Sequence, residues 1–125
     1  MTARILIVED EQIIAADLRN QLTRMGHEVV GIAIAAEEAI AIADELKPDL
    51  VLMDVQLEGE MTGDEAASTI QERTGAPVVY LTAFPSIFVR DPGKMREPGI
   101  CLGKPFSRIQ LEAAVQAALG TSSHS

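Results

Sequence analysis

Glu9, Asp10, Asp54, Thr82 and Lys104 are the residues whose types and spacing can do chemistry together. Glu9 and Asp10 follow the apolar run Ile5-Leu6-Ile7-Val8, and Asp54 ends the run that begins at Leu50. Thr82 ends the run that begins at Val78, and Lys104 follows Ile100-Cys101-Leu102. Singly, each has an ordinary structural explanation. An acid after a strand caps or solvates a loop, Glu9-Asp10-Glu11 favours the start of a helix through its dipole, Thr82 suits a turn and Lys104 a surface. Jointly, those explanations weaken. Three carboxylates in close contact repel one another, so the cluster is stable in ionised form only with a cation among them. Oxygen ligands without His or Cys select a hard ion such as Mg²⁺. A carboxylate beside that ion can attack a phosphoryl group, and the charge developing on the phosphoryl oxygens then needs a cation and a donor. Lys104 and Thr82 supply them.

The elements of the chain must bring these residues to one edge. Apolar runs recur at Ile5 to Val8, Val29 to Ala33, Leu50 to Met53 and Val78 to Leu81, with a weaker fifth at Ile100 to Leu102. Continuous rather than alternating runs mark strands covered on both faces, as in parallel sheets. Helical periodicity fills the intervals. Ile14, Leu18, Leu22 and Met25 form one stripe ended by Gly26; Ile40, Ala43 and Leu46 form a second between Ala36 and Leu46, with Pro48 beyond; Ala66, Ala67 and Ile70 form a third between Gly63 and Arg73. The capping box Ser107 to Gln110 opens a fourth, closed at Gly120. Five strands alternating with helices predict a three-layer α/β domain with right-handed crossovers. Pro85, Pro92, Gly93, Pro98 and Gly99 interrupt the stretch from Phe84 to Gly99, which predicts at most a short helix near 86–90 and loop after it. In such a sheet, ligands bind beyond the carboxyl ends of the strands. If the first and third strands are neighbours, Glu9, Asp10 and Asp54 converge there.

The 125 residues suffice for one domain, expected over 1–120 with a disordered tail over 121–125, and are too few for an added effector domain. A formal charge of −9 repels a phosphate backbone and argues against direct nucleic-acid binding. The one cysteine, Cys101, rules out an internal disulfide and suits a reducing cytoplasm. The N-terminus lacks a signal-peptide pattern, and no stretch approaches membrane-spanning length, so no membrane insertion is expected.

These residues resemble a two-component response-regulator receiver domain of the stand-alone, chemotaxis type. The resemblance covers residues 3 to 119 and rests on Ile5 to Glu11, Pro48 to Leu57, Leu81-Thr82-Ala83 and Gly103-Lys104-Pro105-Phe106. It implies a flavodoxin-like doubly wound five-stranded parallel sheet in the order 2-1-3-4-5. It further implies that Asp54 accepts a phosphoryl group from a sensor histidine kinase, a histidine phosphotransfer protein or a small phosphodonor. Asp10, Asp54 and the backbone carbonyl of Gln56 would bind Mg²⁺, with Glu9 acting through metal-bound water. Thr82 and Lys104 would hold phosphoryl oxygens, and Pro105 would be a cis-proline that directs the lysine loop. The module would not be an enzyme in the usual sense. It would relay phosphate or change its binding of a downstream protein effector.

Two positions depart from the pattern. Cys101 stands where relatives commonly carry a switching aromatic, so the usual coupling to the threonine is lost; a small buried hydrophobe on a strand is the simpler reading. The broken stretch after Phe84 replaces the usual fourth helix and puts dimerisation through that face in doubt. Phe84 and Gln56 occupy positions that tune attack of water on the acyl phosphate, and a bulky Phe84 implies a moderate to long phosphate lifetime. His27 and His124 are read as solvated. Two alternatives compete: a constitutive interaction module that is never phosphorylated, and a Mg²⁺-dependent phosphohydrolase. The second lacks an acid two residues after Asp54, where Gln56 stands.

Overall fold

Residues along each strand alternate between two cores, which is what a sheet covered on both faces requires. The computed structural model describes residues 2–55, 63–82 and 99–122. The strands are β1 (Arg4–Val8), β2 (Glu28–Ala33), β3 (Leu50–Asp54), β4 (Val78–Thr82) and β5 (Gly99–Gly103). All pair in parallel in the order β2-β1-β3-β4-β5. The described helices are α1 (Gln12–Arg24), α2 (Ala36–Leu46), α3 (Gly63–Thr74) and α4 (Arg108–Ser122). Ile5 and Ile7 of β1, with Leu50 and Leu52 of β3, face α1 and α4 through Leu18, Leu22, Leu111 and Val115. Leu6 and Val8, with Val51 and Met53, face α2 and α3 through Ala39, Ala43, Ala67 and Ile70. The order brings β1 and β3 together, in register from Ile5 opposite Leu50 to Val8 opposite Met53. Their carboxyl ends therefore lie side by side.

Helix boundaries follow local chemistry. Gly26 takes φ +91, the left-handed turn that lets the chain leave α1. Ser107 and Gln110 exchange hydrogen bonds of 2.8 and 3.1 Å between side chain and backbone, closing the capping box of α4.

Three details differ from the sequence expectation. The buried stripe of α2 is Ala36, Ala39 and Ala43, while Ile40 and Leu46 lie at its half-buried margin. Small side chains let the helix sit close to the sheet, and the larger residues are displaced to its flank. Helix α4 passes through Gly120 to Ser122, because glycine permits a helix end without imposing one. His27 is half-buried, and its Nδ1 accepts a 3.1 Å hydrogen bond from the Ala3 N–H, since the turn after Gly26 folds it back on the start of β1. Gln56, His124 and all but the last residue of the Phe84 to Gly99 stretch lie outside the described residues.

Candidate functional site

Each candidate side chain is delivered by the end of a strand. Glu9 extends β1, its N–H donating to the Ala33 carbonyl at 2.9 Å, and its side chain is fully buried. Asp10, half-buried, leads into α1. Asp54 is the last residue of β3, in register with Leu81 of β4, and Val55 N–H donates to the Leu81 carbonyl at 3.1 Å. Thr82 ends β4, and its carbonyl accepts the Lys104 N–H at 2.7 Å, which ties the lysine loop to the threonine. The Lys104–Pro105 peptide bond that follows is cis.

Among the described residues, the buried polar or charged ones are Glu9, Asp54 and Thr82. All three lie at this one edge. Glu9, Asp10 and Asp54 each offer a carboxylate oxygen within 4.8 Å of the other two. The donor set is oxygen alone, so these residues fit a hard divalent cation. The Lys104 ammonium stands beside them, 2.9 Å from Glu9 Oε1 and 3.4 Å from Asp54 Oδ2.

The electrostatics follow from this crowding. Glu9 is pushed up to about 7, first by burial and then by its hydrogen bond to Asp54, against the opposing pull of Lys104. Burial by itself would lower the Lys104 ammonium, but its hydrogen bond to Glu9 and the charges of Asp54 and Glu9 outweigh that and raise it. One ammonium and a proton on Glu9 thus do part of the neutralising that the sequence reading assigned to a metal alone.

The structure brings together Glu9, Asp10, Asp54, Thr82 and Lys104. Cys101 stands apart from that cluster on β5, half-buried and in register with Tyr80, its thiol pushed up by burial. The nearer contact of Lys104 with Glu9, rather than with Asp54, was missed in the sequence. No spacing signals it, because the pair is 95 residues apart.

The response regulator receiver domain profile matches residues 5–116, and the chain belongs to that family. The phyllosphere-induced regulator PhyR of Methylorubrum extorquens is 38% identical over 120 residues, covering 95% of this chain and 44% of that protein. The transcriptional regulatory protein PdtaR of Mycobacterium tuberculosis is 42% identical over 120 residues, covering 93% of this chain and 56% of that protein. A variant of the anti-anti-sigma factor PhyR from Bartonella quintana has a solved structure that superposes with a TM-score of 0.88 at 33% identity. The match covers 100% of this chain and 51% of that one. The chain thus spans about half the length of the curated relatives it matches. Receiver domains are regulatory units rather than conventional enzymes. Among the described residues, no helix is long and apolar enough to cross a membrane.

Proposed function

We propose that the chain is a phosphorylation-switched receiver of a two-component system, working in the cytoplasm, with Asp54 as the phosphoryl acceptor. The observation that carries this reading is the convergence of the buried polar residues Glu9, Asp54 and Thr82 on one sheet edge with Asp10 and Lys104. Asp10, Asp54 and the Gln56 carbonyl would hold Mg²⁺, with Glu9 acting through metal-bound water. The ion, when bound, supplies charge neutralisation for the phosphoryl oxygens.

A carboxylate oxygen of Asp54 attacks phosphorus as the P–N bond of a phosphohistidine breaks. The imidazole nitrogen keeps the bonding pair and Asp54 becomes an acyl phosphate. The phosphoryl group adds about −1.5 to −2 charges and new acceptor oxygens. Lys104 then exchanges its carboxylate partners for a phosphoryl oxygen, and the Thr82 hydroxyl donates to another. The backbone hydrogen bond between Lys104 N–H and the Thr82 carbonyl joins the two strand ends that carry these responses. Such a local change biases a loop with two arrangements and so alters the surface offered to a partner.

The partner that delivers phosphate must reach over this edge, and the rim suits protein contact. Ile13 at 85%, Ile109 at 80% and Ile34 at 57% are exposed apolar residues in the first turns of α1 and α4 and just past β2. Pro105 and the half-buried Phe106 lie between Lys104 and α4. A sensor histidine kinase or histidine phosphotransfer protein fits the chemistry. The downstream effector is a protein, since the net charge of −9 disfavours nucleic acid.

The test is intact-mass measurement after incubation with Mg²⁺ and acetyl phosphate or phosphoramidate. A labile phosphoryl adduct on the wild type and none on Asp54→Asn is expected. No adduct from either donor or from a phosphorylated kinase, together with no Mg²⁺ binding, would replace this reading with a constitutive interaction module.

A further inference from the structure

Gly63, the first residue of α3, lies against the backbone of Asp54. A Cβ at Gly63 would stand 2.2 Å from the Asp54 carbonyl oxygen, 2.8 Å from the Val55 Cα and 3.0 Å from the Asp54 carbonyl carbon. Every one of these neighbours is backbone, and two belong to the acceptor residue. The left-handed glycines of the described structure are Gly26 and Gly75, so Gly63 is present for space and not for torsion. A glycine hydrogen points along the direction that the Cβ would take, toward the Asp54 carbonyl, and being shorter it leaves that approach open. Gly31 gives a contrast, for its Cβ would meet only side chains, Ile42 at 3.4 Å and Leu6 at 3.6 Å.

The Asp54–Val55 peptide cannot yield easily to an added side chain. On its other side Val55 N–H is bonded to the Leu81 carbonyl of β4 at 3.1 Å. Nor can α3 retreat at no cost, because Ala66, Ala67 and Ile70 are buried in the core beneath it. Relieving a 2.2 Å approach takes a shift on the order of 1 Å, since carbon and oxygen in ordinary contact stand more than about 3 Å apart. That shift falls on the residue whose carboxylate must stay within 4.8 Å of Glu9 and Asp10 and 3.4 Å from Lys104.

We propose that Gly63 is a positioning residue: its missing side chain lets α3 close against the Asp54–Val55 peptide and fixes the Asp54 carboxylate for metal binding and phosphoryl acceptance. The proposal rests on the reading of Asp54 as acceptor.

The experiment compares wild type, Gly63→Ala and Leu22→Ala, the last a truncation under α1 that loosens the core away from the site. Mg²⁺ affinity is read by calorimetry well below each melting temperature, and phosphorylation by acetyl phosphate is read by intact mass. For Gly63→Ala, Mg²⁺ affinity is expected to fall at least about tenfold and phosphorylation to slow by roughly 10- to 100-fold. Leu22→Ala should melt lower and keep both wild-type values. A Gly63→Ala protein that melts lower yet keeps wild-type affinity and rate would reduce Gly63 to a packing residue and overturn the proposal. If Gly63→Ala does not fold, Mg²⁺ titration of the wild type by NMR decides: the Gly63 α-proton resonances should move with the same midpoint as the Asp54 amide, and unmoved resonances refute the contact. Wild type that takes neither Mg²⁺ nor phosphate fails the receiver reading itself, an outcome distinct from a wild-type-like Gly63→Ala.

Discussion

At the amino ends of β1 and β3, Arg4, Asp49 and His27 each find hydrogen-bond partners. The Arg4 guanidinium donates to the Leu46 and Lys47 carbonyls at 2.7 and 3.2 Å, capping the end of α2. The Arg4 N–H donates to the Asp49 carboxylate at 2.8 Å, and Ala3 N–H donates to His27. At the carboxyl ends, three carboxylates lie together, one ammonium contacts two of them, and Glu9 rises to about 7 through burial and its hydrogen bond to Asp54. The same sheet thus ends in a balanced set of contacts on one side and an unbalanced one on the other. Balance serves stability, whereas an excess of buried negative charge favours whatever brings a cation or removes a proton. That contrast separates the end that holds the fold from the end that responds.

The largest expected effect comes from relieving the imbalance. Glu9→Gln should weaken Mg²⁺ binding by about 10- to 100-fold, the usual cost of losing a supporting group of a metal site. It should also make the metal-free protein more stable at pH 8. The sign follows from linkage. Glu9 titrates near 7 when folded, above its ordinary 4.5, so the folded state holds a proton that the unfolded chain has released. This contribution to stability is full below about 4.5 and is lost as pH rises through about 7, with a slope of at most ~1.4 kcal/mol per pH unit. Denaturant unfolding from pH 5 to 8 without metal should show stability falling in the wild type relative to Glu9→Gln. His27, at the balanced end, behaves in the opposite sense. Burial lowers it from 6.5, so the unfolded chain takes the proton first and stability falls as pH drops below 6.5. His27→Asn should remove that acid-side loss alone. A His27→Asn protein whose metal-free stability rises from pH 5 to 8 would break the comparison.

Next in size is the balanced end. Arg4→Ala removes the guanidinium but keeps the backbone N–H that meets Asp49, so the loss isolates the cap on α2. A destabilisation of about 1–3 kcal/mol is expected from charge-assisted hydrogen bonds left unmade. Phosphorylation by acetyl phosphate should be unchanged in the folded protein. A variant that melted normally yet phosphorylated slowly would show that the two ends are not separable.

What the sequence disclosed, and what it withheld, divides along the same physical line. Unbroken apolar runs such as Leu50 to Met53 announce strands covered on both faces, and a polar residue at or just past the end of four of the five runs is visible without any contact being known. Glu9, Asp10, Asp54, Thr82 and Lys104 were legible for that reason. Contacts between distant residues were not. The preference of Lys104 for Glu9, the acceptance of Ala3 N–H by His27 and the closeness of Gly63 to Asp54 depend on how helices settle on the sheet. The buried face of α2 was misjudged because hydrophobicity favours Ile40 and Leu46, while the closeness of helix to sheet favours alanine.

The smallest expected effect tests whether a charge pair matters by its presence or by its burial. Arg73 of α3 and Asp44 of α2 form an ion pair whose side chains are 54% and 36% exposed. The layer they bridge is already joined beneath them by Ala39, Ala43, Ala66, Ala67 and Ile70, all buried. Water screens the exposed pair, and both long side chains lose freedom in forming it. Asp44→Ala and Arg73→Ala should each cost less than about 1 kcal/mol, and a double-mutant cycle should give a coupling of roughly 0.2–1 kcal/mol that shrinks in high salt. The Arg4 contacts, directed at the carbonyls that end a helix, should keep most of their value in the same salt. A coupling between Asp44 and Arg73 as large as the loss in Arg4→Ala would mean that surface charge also holds the fold, and the division between the two ends of the sheet would have to be redrawn.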